Sequence, residues 1–260
     1  MSGADSGSTR RRLIAGNWKL YKTITESTEL AHALVKSPGA ADPSIEIAIA
    51  PVFTALSKVA EVLAGSSIAL AAQDVFWEPQ GAFTGEVGPV QLVDVGCRYV
   101  IVGHSERRQL FGETDEAVGR KAKALLAHSL APIVCVGETL SEREAGQAEH
   151  VVVRQLHAAV TGLTPAEVAR LVIAYEPVWA IGTGKTAQPS DAQEMHARIR
   201  ATLAETFGAP LAQQLRVLYG GSVKPDNAAT LMSQPDVDGA LVGGASLTLD
   251  AFSAIIASVK

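Results

Sequence analysis

The chain has 260 residues, of which 47% are hydrophobic and 19% charged, and its formal net charge is −5. This composition is typical of a globular protein, and the acidic balance gives no long-range attraction to nucleic acid or to an anionic membrane. Neither cysteine, Cys97 or Cys135, has a CxxC partner, which argues against a disulfide framework and a zinc site. Any small anionic substrate must therefore be captured by local positive groups.

The first 12 residues, MSGADSGSTRRR, are polar, and we expect residues 1–12 to form a disordered tail. The apolar piece LIAG that follows is too short for the core of a signal peptide. No run reaches the length of about 18 apolar residues that a membrane helix needs, so we expect no membrane span and a cytoplasmic location. No linker divides residues 13–260, which predicts one domain.

Eight short apolar runs recur along the chain, with amphipathic stretches between them. Most are nearly continuous rather than alternating, which is typical of parallel strands covered on both faces. The runs cover residues 13–18, 45–50, 68–73, 99–103, 132–136, 171–175, 215–219 and 240–243. This order predicts a single-domain α/β fold, a (β/α)8 barrel of parallel strands ringed by helices; a doubly wound open sheet is the alternative.

Three capping boxes mark expected helix starts, and they are Thr23 with Glu26, Ser141 with Glu144, and Ser190 with Gln193. One connection, residues 73–89, is long, rich in glycine and without helical periodicity. Long loops in compact domains are usually functional, and the aromatic residues Phe76, Trp77 and Phe83 suggest contact with a second subunit. The alternative is a lid that folds back on its own barrel.

In a parallel barrel the carboxyl ends of all strands meet on one face, where active sites are built. Candidate residues follow three of the predicted strands there, namely Asn17 and Lys19, then His104, Ser105 and Glu106, and then Glu176. Each charged or titratable candidate has an ordinary structural reading: Lys19 could be a surface lysine, and His104 a structural histidine beside the next helix. Glu106 could join an ion-pair cluster with Arg107 and Arg108, and Glu176 could be buried by pairing with Lys19 or an arginine. Together on one face, a cation, an imidazole and a carboxylate favour acid–base catalysis.

Two glycine pairs, Gly220–Gly221 and Gly243–Gly244, follow the seventh and eighth strands. Glycine lets backbone N–H groups approach a ligand, and loops at these positions often hold phosphate; two tight turns are the alternative. The segment GTGKT resembles the end of a nucleotide-binding loop. That motif requires a glycine where this chain has Trp179, which makes ATP binding there improbable.

Longer segments occur in order along the chain: GNWK at 16–19, GAFTGEVG at 81–88, VGHSERR at 102–108, AYEPVWAIGTGKT at 174–186 and YGGSV at 219–223. From about Leu13 to its end the sequence resembles the triosephosphate isomerases, which have the TIM barrel fold. The resemblance implies interconversion of dihydroxyacetone phosphate and D-glyceraldehyde 3-phosphate through an enediolate, in glycolysis and gluconeogenesis. It implies neither a metal nor an organic cofactor.

The resemblance also assigns roles. Glu176 would be the base that moves the proton, and His104, as a neutral imidazole, would donate a hydrogen bond to the substrate oxygens. Lys19 would supply positive charge, Asn17 would orient the same oxygens, and Glu106 would support them or relay a proton. The phosphate would be held by backbone N–H groups of Gly182, Ser222, Gly243 and Gly244.

A lid and a dimer loop are implied as well. The lid would comprise Pro177, Val178, Trp179, Ala180, Ile181, Gly182, Thr183, Gly184, Lys185 and Thr186. The tip of the 73–89 loop, with Phe83, Thr84, Gly85 and Glu86, would reach into the site of a second subunit in a homodimer and place Thr84 near its Lys19 and Asn17.

Two residues depart from the family pattern, Tyr21 and Asp74, where asparagine is common. Neither belongs to the implied catalytic groups. Two other readings stay open: an isomerase for a four-carbon ketose phosphate would share these motifs, and a barrel could bind a phosphorylated ligand without catalysis.

Overall fold

A computed structural model of the chain describes residues 10–181 and 187–259. Eight parallel strands form a closed barrel in sequence order, β1 to β8, which confirms the predicted fold and excludes the open sheet. The strands are Arg12–Asn17, Ile45–Ala50, Ala69–Ala72, Tyr99–Val102, Ala131–Val136, Val172–Tyr175, Arg216–Tyr219 and Gly239–Val242. All eight overlap the predicted apolar runs, and β1 closes the barrel against β8 with Ile14 opposite Ala240.

Alternate residues of each strand face two different cores. In β1, Leu13 and Ala15 belong to a cluster made only of strand residues. This cluster fills the interior of the barrel. Ile14 joins a larger cluster that includes helix residues such as Leu30 and Leu34, between the barrel and its outer ring. Burial on both faces explains why the strands read as continuous apolar runs.

The outer ring contains twelve α-helices within the described residues. They are α1 Ile24–Val35, α2 Leu56–Leu63, α3 Pro89–Val95, α4 Ser105–Phe111, α5 Asp115–Ala127, α6 Leu140–Glu144, α7 Ala148–Val160, α8 Pro165–Val168, α9 Pro189–Phe207, α10 Ala209–Ala212, α11 Ala228–Met232 and α12 Leu249–Ser258. No described helix is long and apolar enough to cross a membrane.

One of the three predicted capping boxes is confirmed, at Thr23 and Glu26 before α1. The other two were placed two residues too late. Before α6 the box is Thr139 with Glu142, because the extended backbone at Thr139 ends there. Before α9, Pro189 fits the first helical turn, so the cap falls on the preceding Gln188.

The last three residues of the predicted polar tail, residues 10–12, belong to the folded barrel. The predicted end of the tail, at residue 12, was therefore placed too far along the chain. Arg12 begins β1, and the Arg11 guanidinium donates to the carbonyl of Ile45 at 2.7 Å. The Arg10 Nε donates to Asp238 Oδ1 at 2.6 Å, in an ion pair whose side chains are 7% and 3% exposed. Residues 1–9 lie outside the described part of the chain.

The 73–89 loop is folded on itself at its base and exposed at its tip. The N–H of Phe76 donates to the carbonyl of Val87 at 2.8 Å, and the Phe76 ring lies 4.5 Å from that of Phe83. Of the three aromatic residues expected to contact a second subunit, only Phe83 is exposed, at 43%, whereas Phe76 and Trp77 are half-buried. The tip from Phe83 to Glu86 projects into solvent.

Candidate active site

A cavity of about 720 Å³ opens at the carboxyl ends of the strands. Most of the predicted site residues that the structure describes line it, from the ends of β1, β4, β7 and β8. These are Asn17, Lys19, His104, Glu106, Ser222, Gly243 and Gly244. Glu176 lies at the end of β6 and is almost completely buried beside the cavity, with 2% of its surface exposed.

Lys19 is held in an unusual backbone conformation, with φ of 50°. The Asn17 Oδ1 accepts its N–H at 3.0 Å, and the Gln73 amide donates to its carbonyl at 2.8 Å. These bonds stabilise a left-handed conformation that side-chain-bearing residues rarely adopt. The Lys19 ammonium lies 2.5 Å from Glu106 Oε1 and is thereby directed into the cavity.

Glu106 therefore pairs with Lys19. The alternative, an ion-pair cluster of Glu106 with Arg107 and Arg108, is not what the structure shows. Arg107 instead pairs with Asp74 at 2.9 Å, and Arg108 pairs with Asp115 at 2.5 Å. The two arginines thus brace the helix α4 from outside the cavity, and the carboxylate of Glu106 stays at the site.

The hydrogen bonds of His104 indicate its tautomer. His104 caps α4, and its Nδ1 accepts the backbone N–H of Glu106 at 3.2 Å. A neutral imidazole that accepts at Nδ1 carries its proton on Nε2. Nε2 lies 3.0 Å from Glu176 Oε1, so the imidazole donor and the carboxylate meet at the edge of the cavity.

Glu176 is buried against the start of α4 and not by a lysine or arginine. The Ser105 N–H donates to Oε2 at 2.9 Å, and the Ser105 hydroxyl donates to Oε1 at 3.3 Å. Glycines flank the residue on both neighbouring strands: a Cβ on Gly137 would lie 1.8 Å from the Glu176 carbonyl oxygen, and one on Gly220 would lie 2.9 Å from its Cγ. The absence of a side chain at Gly137 leaves room for the main chain of Glu176, and the absence of one at Gly220 leaves room for its side chain.

The turns after the last two strands line another part of the cavity. Ser222 follows β7, and Gly243 and Gly244 follow β8, where a short 3-10 helix, Gly244–Leu247, begins. The N–H and hydroxyl of Ser246 both donate to the carbonyl of Gly243, at 2.8 and 2.7 Å, which fixes this turn. Exposed N–H groups at such a turn favour anion binding. Gly182, the fourth predicted phosphate ligand, lies outside the described residues.

The first part of the predicted lid is anchored by a buried carboxylate that the sequence did not reveal. Glu138 is fully buried, and its Oε1 accepts from Trp179 Nε1 at 2.8 Å, from the Tyr175 hydroxyl at 3.1 Å and from Arg143 at 3.2 Å. The Arg143 guanidinium also stacks over the Trp179 ring, 4.6 Å from its centroid. Pro177, Val178, Ala180 and Ile181 complete the described part; Gly182, Thr183, Gly184, Lys185 and Thr186 lie outside it.

Ser105, a candidate from its place after the fourth strand, bonds to Glu176 at the site, whereas Glu138, Tyr21 and Lys224 also touch the site or its lid and were assigned no role there. Ser105 lies within the VGHSERR segment, so its position was a usable signal. Glu138 gave none, because its partners come from a different strand and loop.

Cysteine chemistry is disfavoured near this site. Burial raises the pKa of the Cys135 thiol well above its ordinary value, and the nearby carboxylate of Glu176 adds to the effect. A thiol that stays protonated is a poor nucleophile. Within the described residues, no group of three or more histidine, cysteine or acidic side chains could hold a metal ion.

Fold and site together define a barrel enzyme whose cavity is lined by a lysine and two glycine-containing turns, with a carboxylate and an imidazole meeting at its edge. A family model described as triosephosphate isomerase matches residues 12–259. A triosephosphate isomerase of Roseiflexus sp. (strain RS-1) is 58% identical over 247 residues, covering 95% of this chain and 97% of the relative. That of Chloroflexus aurantiacus is 59% identical over 244 residues, covering 94% and 97%. The chain belongs to the triosephosphate isomerase family, and it is an isomerase.

Proposed function

We propose that this chain interconverts dihydroxyacetone phosphate and D-glyceraldehyde 3-phosphate by moving one proton between adjacent carbons. The observation that carries the proposal is the meeting of His104 and Glu176 at 3.0 Å, beside a cavity lined by Lys19 and by the glycine-containing turns after β7 and β8. A base, a hydrogen-bond donor and an anion pocket are the parts that this reaction needs.

Glu176 is the proposed base. In the described conformation its carboxylate is bonded to Ser105 and lies outside the cavity lining, so it must leave Ser105 to reach a substrate carbon. The small neighbours Gly137 and Gly220 leave room for this movement. General base catalysis contributes about 10² to 10⁴-fold, so much of the barrier must be lowered by stabilising the charge on the enediolate.

Charge stabilisation falls to His104 and Lys19. The Nε2–H of His104 would donate to the substrate oxygens, which develop negative charge as the proton leaves. The Lys19 ammonium would add positive charge, and the Asn17 side chain would orient the same oxygens while its Oδ1 holds the Lys19 backbone. Preorganised donors of this kind lower barriers most when water is excluded.

Water exclusion is the proposed role of the lid, residues 177–186. The start of the lid, residues 177–181, is bonded to Glu138: Trp179 Nε1 donates to its carboxylate, and the Val178 N–H donates to its carbonyl at 3.2 Å. We propose that phosphate binding at Ser222, Gly243, Gly244 and Gly182 closes the lid over Glu176. Closure over the carboxylate would strengthen every interaction inside the site.

A homodimer is proposed from an exposed apolar surface. Leu20 is 92% exposed, Leu110 73% and Phe111 69%, and Phe83 adds an aromatic ring at the loop tip. Apolar side chains this exposed and this large mark interaction surfaces when they cluster.

Contacts connect the base of the 73–89 loop to the segments that carry Leu20 and Phe111. The base of the 73–89 loop bonds to Lys19 through Gln73, and Asp74 pairs with Arg107, whose guanidinium stacks on Phe111 at 5.1 Å. A second copy is the proposed occupant, with its Thr84 reaching toward Asn17 and Lys19. The site would then be complete only in the dimer.

The experiment is a coupled assay with glyceraldehyde 3-phosphate as substrate, repeated with a four-carbon ketose phosphate. We expect turnover with a higher kcat/KM for the triose phosphate. A clear preference for the four-carbon substrate would indicate an isomerase for a four-carbon ketose phosphate instead. An inactive chain that still binds triose phosphate would be a binding protein.

We also propose a cytoplasmic location, which fractionation of the source cells would test.

A further inference from the structure

Two lysines line the cavity within the described part of the chain, and only one of them has an acidic partner. Lys19 is paired with Glu106 at 2.5 Å. Lys224 is exposed, lies two residues after Ser222, and makes no ion pair with any described carboxylate. The nearest carboxylate in the sequence, that of Asp226, is itself exposed and unpaired with it.

The backbone that carries Lys224 is held in a fixed turn. The Asn227 Oδ1 accepts the Lys224 N–H at 2.8 Å, and the Asn227 Nδ2 donates to the Ser222 carbonyl at 3.0 Å. The Lys224 carbonyl accepts from the N–H of Ala228 at 3.0 Å, and Pro225 restricts the torsion that follows. One side chain thus clamps both Ser222, an expected phosphate ligand, and Lys224.

We propose that Lys224 captures the phosphate dianion of the substrate and adds to its affinity, an inference that rests on the proposed function. The chain carries a net charge of −5, and the phosphate pocket itself offers uncharged N–H groups. The Glu106 carboxylate offsets the charge of Lys19. Lys224 therefore supplies the uncompensated positive charge at the phosphate end of the described cavity.

This role concerns binding and not proton transfer, because the phosphate group does not react. Removal of the charge is expected to raise KM and leave kcat nearly unchanged. At separations of several ångströms near the surface, one positive charge facing a dianion is worth about three- to tenfold in affinity, and salt weakens it. The difference from the wild type should shrink as ionic strength rises.

The test compares Lys224→Met and Lys224→Arg with Lys36→Met, which removes an exposed lysine at the C-terminal end of α1, on the opposite face of the barrel. At low salt, Lys224→Met should raise KM and the inhibition constant of inorganic phosphate about three- to tenfold. Lys224→Arg and Lys36→Met should stay near wild type. Turnover of D-glyceraldehyde, which lacks phosphate, should be the same in all four proteins.

Three results would overturn the inference: an unchanged KM in Lys224→Met, an equal change in Lys36→Met, or a matching loss with D-glyceraldehyde. None of them would affect the proposed function, provided that the wild type isomerises triose phosphate. A wild type that is inactive would instead contradict the proposed function, and phosphate binding measured by calorimetry would still decide the role of Lys224. Equal melting temperatures for the variants establish that the fold is intact.

Discussion

Ser105 holds the carboxylate of Glu176 with two hydrogen bonds, from its N–H at 2.9 Å and from its hydroxyl at 3.3 Å. The bond from the backbone cannot be removed by substitution, whereas the bond from the hydroxyl can. Substitution of Ser105 can therefore weaken the resting position of the Glu176 carboxylate without removing the carboxylate. Substitution of Glu176 removes the carboxylate itself.

Glu176→Gln is expected to lower kcat by about 10³-fold or more, because an amide cannot accept the substrate proton. Binding of inorganic phosphate should be largely retained. Ser105→Ala is the matched control: it removes one resting hydrogen bond, so the free energy of unfolding should fall by about 1 kcal/mol while kcat/KM stays within about threefold. Steady-state kinetics and urea unfolding measure both. Retained turnover in Glu176→Gln would exclude Glu176 as the base.

Glu106→Gln is expected to lower kcat/KM about tenfold or more, because Lys19 loses the charge-assisted bond that directs it into the cavity. If Glu106 acts only by positioning Lys19, the substitution should cost nothing further in a Lys19→Met background. A double-mutant cycle on kcat/KM measures this coupling. Additive losses would instead favour a proton-relay role for Glu106.

Acid is expected to destabilise the fold partly through His196. This residue is fully buried, and burial lowers its pKa from 6.5 to about 4. Because the folded-state pKa lies below the unfolded one, the unfolded chain binds the proton more readily, and stability is lost as pH falls from about 6.5 toward 4. The loss attributable to this group is about 3 kcal/mol. Urea unfolding across this window should show a flatter pH dependence for His196→Gln, and an unchanged slope would contradict the assignment.

Leu110→Glu is expected to convert the proposed dimer to monomers, since it places a charge on the exposed apolar surface around Phe111 and the loop tip. Ala229→Glu, at an exposed position on the distant helix α11, is the control and should remain dimeric. Light scattering at micromolar concentration distinguishes the two. A monomeric wild type would remove the proposal, together with the role of Thr84 in a neighbouring site.

Lid closure is expected to change the fluorescence of Trp179, whose ring is held between Glu138 and Arg143. Adding inorganic phosphate should shift the emission of the wild type and of Trp77→Phe, because Trp77 lies in the dimer loop. Trp179→Phe should abolish the shift. An identical response in Trp179→Phe would show that the start of the lid, around Trp179, does not move on phosphate binding.

The sequence predicted the barrel, and it predicted most of the residues that line the cavity, because both depend on local patterns. Buried parallel strands read as apolar runs, and the strand ends carry Lys19, His104 and Glu176 in a fixed order. The misplaced capping boxes show the limit of such patterns. Ser141 with Glu144 fits the same spacing as the observed Thr139 with Glu142, and only the path of the chain out of β5 decides between them.

Contacts between distant segments could not be predicted in this way. Arg10 was assigned to a disordered tail, yet it pairs with Asp238 from the far end of the chain. Glu138 lies two residues after β5 and belongs to none of the motifs in the sequence, and its hydrogen bonds come from donors on β6 and the lid. Likewise, the partner of Glu106 proved to be a lysine at the end of another strand and not the adjacent arginines.

The glycines on either side of Glu176 limit how this enzyme can be re-engineered. Any other residue at position 137 would collide with the main chain of the base, and at position 220 with its side chain. In a mutant library aimed at a new substrate, most substitutions at these two positions would therefore disturb Glu176 and give inactive variants. The rim residues Tyr21 and Leu140 line the same cavity without touching the base, and they are where such a library should vary the sequence.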